Sequence, residues 1–231
     1  MKKTKRINLK EIEQQEILKN HFARGINFYK LFWIFIIGAF LGVVIETLWC
    51  ILTRHVIESR TGLIYGPFNL VYGFGALGLF LGLYKIRNKR DGIIMIAGAI
   101  IGSVIEYICS FVQEKMFGSV SWDYSNFPYN LNGRINLLYS LFWGILAVLW
   151  IKNVYPKIAE FIIKIPNKIG KKLTWILCIF MIFNVFMSAS VVLRWSGRIN
   201  NIAATNKFET YIDKHYNDER MKKIFPNMKF S

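Results

Sequence analysis

The chain has 231 residues, 54% of them apolar, and a formal net charge of +16. The apolar residues gather in five long runs, which excludes an ordinary soluble core and leaves a membrane protein. The charge does not indicate nucleic acid, because the basic residues collect at the edges of the apolar runs, as the positive-inside rule expects.

In chain order, residues 1–30 read as a basic cytoplasmic arm with a short surface helix over 8–23. Lys2, Lys3, Lys5, Arg6, Lys10, Lys19, Arg24 and Lys30 all precede the first apolar run. That run starts too late and continues too long for a signal peptide. Spans are expected at 31–52, 67–84, 93–112, 135–154 and 173–193. Nothing alternates with the two-residue period of a barrel strand, so the expected fold class is all-α, a polytopic bundle of about five transmembrane helices.

Basic residues follow the second span (Lys85, Arg87, Lys89, Arg90) and the fourth (Lys152, Lys157, Lys164, Lys168, Lys171, Lys172). The first and third connections carry less excess positive charge. This asymmetry places the N-terminus in the cytoplasm and the polar tail, 196–231, outside. The link 155–172 is expected to lie in the interface, with Ile158, Phe161, Ile162 and Ile165 on its apolar side. The first outer connection, 53–66, is short. The second, 113–134, carries Phe117, Trp122, Tyr124, Phe127 and Tyr129, which read either as an interfacial belt or as a folded cap.

Within the transmembrane domain, 31–195, one phrase occurs twice. Gly38-Ala39-Phe40-Leu41-Gly42-Val43-Val44-Ile45-Glu46 returns sixty positions later as Gly98-Ala99-Ile100-Ile101-Gly102-Ser103-Val104-Ile105-Glu106, with six of nine residues identical. Pro67-Phe68-Asn69-Leu70 and Pro128-Tyr129-Asn130-Leu131 follow the two copies. The spacing predicts a parallel repeat of two-helix units, 31–84 and 93–154, plus one further helix. In each copy two glycines and a glutamate share one helix face. Two such faces packed together would bring Glu46 and Glu106 onto a common seam.

An acid in hydrocarbon is expensive, which makes Glu46 and Glu106 candidates for a substrate pathway or a proton-bearing role. The alternative is a buried acid that fixes the bundle through hydrogen bonds or through Arg60 or Arg134. Those arginines stand beside the expected starts of the second and fourth spans, where they would attract anions near the outer face. Snorkelling alone would also explain them. Trp122, Asp123 and Asn132 would shape the mouth. Tyr72-Gly73-Phe74-Gly75 and the run Tyr139–Gly144 read as packing seams.

No metal and no cofactor are expected. Cys50, Cys109 and Cys178 lie in apolar segments without metal-ligand spacing, and His21, His55 and His215 lie outside the spans. There is no Walker A loop, no Gly-x-Ser-x-Gly elbow and no His-Glu-x-x-His.

The strings Arg60-Thr61-Gly62-Leu63-Ile64-Tyr65-Gly66-Pro67-Phe68, Tyr72-Gly73-Phe74-Gly75, Trp122-Asp123-Tyr124-Ser125 and Pro128-Tyr129-Asn130-Leu131-Asn132-Gly133-Arg134 resemble the ABC-transporter type IV permease family of bacterial membrane proteins. Tyr139-Ser140-Leu141-Phe142-Trp143-Gly144 and, in the tail, Asp218-Glu219-Arg220-Met221 with Pro226-Asn227-Met228 add to the resemblance. Asn69 and Leu70 depart from it, standing where a small residue and proline are expected. The resemblance implies a multi-pass plasma-membrane permease subunit in the lipid bilayer, with a separate nucleotide-binding subunit and a homodimer to complete a pathway. It supplies no catalytic residues. Two other functions stay open: an intramembrane enzyme acting on lipid or cell-envelope intermediates, and a structural or regulatory membrane partner.

Overall fold

The structure is a computed structural model and describes residues 8–230; the predicted arm residues Lys2, Lys3, Lys5 and Arg6 lie outside the described residues. The fold is an all-α membrane bundle. Its helices are α1 (Leu9–Leu18), α2 (Phe28–Arg54), α3 (Leu70–Leu83), α4 (Asp91–Phe117), α5 (Leu137–Leu149), α6 (Tyr155–Ile163), α7 (Asn167–Ile199), α8 (Lys207–His215) and α9 (Asp218–Ile224). Two short antiparallel ladders join β1 (Ser119–Val120) to β4 (Lys229–Phe230) and β2 (Asn130–Leu131) to β3 (Ile135–Asn136).

Asparagine starts many of these helices. The side chains of Asn8, Asn27, Asn69, Asn136, Asn206 and Asn217 each accept from a backbone N–H of the first turn. A short side-chain oxygen there satisfies a donor that the helix itself leaves free. At the other end, α2 stops on His55 and α4 on Gly118, both in the left-handed region. Glycine is the natural residue for that conformation.

Four helices are long and apolar enough to cross a bilayer: Phe28–Arg54, Asp91–Phe117, Leu137–Ile163 and Asn167–Ile199. The third of these joins α5 and α6 through a π-helical stretch, Trp150–Val154. The helix of the predicted fourth span therefore does not end at 154 but runs on through 155–163, with Ile158 and Ile162 buried and Phe161 exposed.

The predicted second span is the exception. Its helix runs only over Leu70–Ile86, including a closing 3-10 turn, and is about 25 Å long. The missing length is made up by the segment before it. The Asn69 N–H donates to the carbonyl of Ala39 at 3.2 Å. Ala39 is fifteen residues before the end of α2 at Arg54, about 22 Å along the axis. Residues 55–69 are thus no short surface connection. They descend into the bundle without helical structure, and α3 begins at that depth.

The ends of the bundle are built from different parts of the chain. At one end α1 docks against the bundle: Tyr84 and Arg87 both donate to Glu13, and the Phe22 N–H donates to Asn167 Oδ1 at 2.6 Å. At the other end lie the 118–136 connection and the tail. The tail forms α8, α9 and β4, with Ile212, Tyr216, Met221 and Phe225 packed on Val191, Val192 and Trp195 of α7. Large apolar side chains on α2, α4 and α7, among them Trp49, Ile96, Ile100 and Ile179, face outward, where a bilayer would cover them.

Candidate functional site in the helix bundle

Each glutamate sits on a glycine-faced helix pair. On α2, a Cβ at Gly38 would collide with Ala76, and one at Gly42 with the Tyr72 ring, both on α3. On α4, a Cβ at Gly98 would collide with Ala147, and one at Gly102 with the Trp143 ring, both on α5. The two glycine faces therefore do not meet each other on a common seam. Each accepts an aromatic residue and an alanine from its own following helix, because small residues let the backbones approach closely.

Those aromatics hold the acids. The Tyr72 hydroxyl donates to Glu46 Oε2 at 2.5 Å, and the Trp143 indole N–H donates to Glu106 Oε2 at 2.9 Å. The remaining oxygens differ. Glu106 Oε1 accepts from the Tyr124 hydroxyl at 3.0 Å, whereas Glu46 Oε1 lies 3.8 Å from Arg60 Nη1. Glu106 is buried, while the Glu46 side chain is 33% exposed. The acids lie eight and eleven residues before the ends of α2 and α4, about 12 and 16 Å down the axes.

Arg60 stands in the descending segment with its side chain only 8% exposed. Besides Glu46 it donates through Nη2 to Glu58 and to Cys50 Sγ, each at 3.0 Å. Its Nε is buried with no partner. The segment is pinned from the other side by α7. Asn184, fully buried, accepts from the Tyr65 N–H at 3.1 Å and donates to the Tyr65 carbonyl at 2.7 Å. Ser188 Oγ accepts from the Ile64 N–H. The Tyr65 hydroxyl reaches Tyr216 in the tail at 3.0 Å, linking segment to tail.

The other predicted residues lie in the 118–136 connection, which is a folded cap. Arg134 pairs with Glu114 and not with Glu106, and its guanidinium sits 5.6 Å from the ring centroids of Tyr107 and Phe111. The Trp122 indole donates to the Arg134 carbonyl, and Asn132 Nδ2 donates to the Tyr107 hydroxyl. Asp123 accepts from the Ser125 hydroxyl and N–H, which hold its carboxyl below the usual aspartate range. Tyr124 stacks on Tyr139 at 4.8 Å. Burial, then the Glu106 charge, lifts its phenol well above the tyrosine range, so it remains a donor to Glu106.

The string Asn130–Arg134 does not open the fourth span; Asn130 and Leu131 form β2, and the helix starts after Asn136. The phrases beginning at Pro67 and Pro128 are therefore not equivalent in place. Sequence reasoning also passed over Tyr72 and Trp143 as packing residues. The available signal was that a buried carboxylate needs donors, and each lies on the helix that the neighbouring glycines admit. Among the described residues no cluster of His, Cys, Asp and Glu could hold a metal.

The model of the family described as "Putative ABC-transporter type IV" matches residues 33–189, more than half of the chain. The chain belongs to this family. The matched stretch takes in both glutamates, Arg60 and the cap, and stops short of the tail helices. As an ABC-transporter type IV protein it is a transporter-related membrane protein. No curated protein and no solved structure matches the chain.

Proposed function

We propose that this chain is the membrane-spanning, permease-like subunit of a bacterial plasma-membrane transporter, moving a small solute or lipid. The carrying observation is the broken second crossing, where irregular backbone meets Glu46, Tyr72 and Arg60 inside the bundle. Non-helical backbone at membrane depth is tolerated only where protein or a cavity satisfies it. Interrupted spans are also where transporters build polar sites near the midplane.

In this reading Glu46 and Glu106 line the pathway in two parallel helix-pair units. Arg60 and Arg134 act as anion-attracting gates, and Trp122, Asp123 and Asn132 shape the mouth. The basic residues 85–90 and 152–172 stand at the α1 end, which supports a cytoplasmic N-terminus and an outer tail. Energy comes from a separate nucleotide-binding subunit, and two copies complete the pathway.

A structural reading is favoured at Glu106 alone, because both of its oxygens are occupied by neighbouring donors. Purification from native membranes in mild detergent, with mass spectrometry of every co-purifying chain, tests the proposal. A stoichiometric nucleotide-binding subunit is expected, with ATPase activity altered by Glu46→Gln. A clean preparation without ATPase removes the permease role. If the two glutamine variants lower thermal stability and leave flux unchanged, the acids lock the bundle instead.

A further inference from the structure

A groove of about 560 Å³ runs along the outward side of α4 beneath the β2–β3 hairpin. Ile100, Val104 and Ile108 form one wall, and Leu131, Ile135 and Leu137 the other. Its serine hydroxyls are already spent: Ser103 donates to Ser140, and Ser140 donates to the Asn136 carbonyl. A polar solute would find little to bond there, so the groove suits an apolar chain.

The length and the rim narrow the choice. From Ala99 to Ile108 the groove follows α4 for nine residues, about 13 Å, close to one leaflet of a ~30 Å hydrocarbon core. At its outer end Tyr107 receives Asn132, and Arg134 lies over Tyr107 and Phe111. One turn further, the exposed Lys115 lies 5.9 Å from the Phe111 centroid. Arg134 is balanced by Glu114, so Lys115 leaves the rim with a net positive charge. An apolar groove of one leaflet's depth under a cationic rim is complementary to an anionic amphiphile.

We propose that this groove seats one acyl chain of an anionic phospholipid from the leaflet at the tail end, with its phosphate at Lys115 and Arg134. The proposal rests on the membrane placement of α4 and not on the transport reading. The test is native mass spectrometry of the full chain exchanged into micelles doped with phosphatidylglycerol or phosphatidylcholine. One retained phospholipid is expected, with a roughly fivefold preference for phosphatidylglycerol, the scale of one basic residue at an anionic surface. Val104→Trp, filling the groove, should abolish retention, and Lys115→Gln should erase the preference while keeping the lipid. Ile100→Ser with Ile108→Ser keeps the groove open but polar, and should weaken retention if the tryptophan variant fails to fold. Retention unchanged in the groove variants overturns the proposal. So does a wild-type preparation without phospholipid, or a dimer that Val104→Trp disrupts, which would assign the groove to a second copy.

Discussion

Asn184 grips the backbone of Tyr65 from both sides, accepting from its N–H and donating to its carbonyl. One buried side chain on α7 thereby satisfies two polar groups of a segment that has no helix of its own. In a bilayer an unsatisfied backbone group has no water to turn to, so this pairing lets 55–69 sit at depth. Asn184→Leu keeps the volume but strands both groups. The expected cost is about 2–6 kcal/mol, ~1–3 kcal/mol for each stranded group. Thermal unfolding in detergent should show a drop of at least roughly 4 °C. An unchanged midpoint would mean the segment is held from elsewhere.

Gly98 and Ala147 face each other where α4 packs on α5: a Cβ on Gly98 would collide with the Ala147 Cβ. Gly98→Ala should destabilise by about 1–3 kcal/mol, the usual cost of overpacking. Ala147→Gly in the same chain removes the atom the new methyl meets and should restore much of the loss. The check is a double-mutant cycle on thermal stability, since residues in contact couple by up to a few kcal/mol. Additive effects would show that the helices can part at no cost.

Hydropathy and charge made the long helices legible, because hydrocarbon imposes a length on any apolar helix. The Gly38–Gly42–Glu46 and Gly98–Gly102–Glu106 faces were legible too, since their period is that of a helix. What filled those faces was not. A glycine pair says that something comes close, not whether it is Tyr72, Trp143 or the other glycine face. The descent of 55–69 was hidden for a similar reason: its depth is fixed by Ala39 and Asn184, distant in sequence. The tail read as merely polar, although Ile212, Tyr216, Met221 and Phe225 recur every four or five residues and form its buried side.

The tail is tied to α7 by charge. Asp213 accepts from Arg194 at 2.6 Å and from Arg198 at 2.5 Å. Partial burial opposes ionisation, but these bonds outweigh it and hold the Asp213 pKa below its ordinary value. Because the docked value is lowered, its stabilisation is fully present above the usual aspartate pKa of about 3.9 and is lost as pH falls through the lowered one. Glu209, bonded to the Thr205 N–H, shifts in the same direction. Protection of the 207–230 amides, measured as exchange relative to the intrinsic rate at each pH, should therefore be high at neutral pH and fall in acid. Asp213→Asn should speed exchange at neutral pH and flatten the acid response. A variant that keeps the wild-type profile would locate the latch outside this carboxylate.

Lys30 and Glu16 form the most buried ion pair among the described residues, with both side chains 3% exposed. Lys30 Nζ lies 2.6 and 2.7 Å from the two carboxylate oxygens, and the Gly25 N–H donates to Oε2. The pair fastens α1 to the first turn of α2, where the chain enters the bundle. Burying two charges costs several kcal/mol of lost hydration, which their attraction repays only while both are present. Lys30→Met alone leaves the carboxylate buried without its cation and should cost about 3–5 kcal/mol. Glu16→Leu alone strands the ammonium, with a comparable loss. The double variant removes both hydration penalties, so it should unfold at a higher temperature than either single one, near the wild type. Thermal unfolding of the four proteins in one detergent decides the matter. Additive losses would mean that packing of α1, and not the ion pair, holds this end of the bundle.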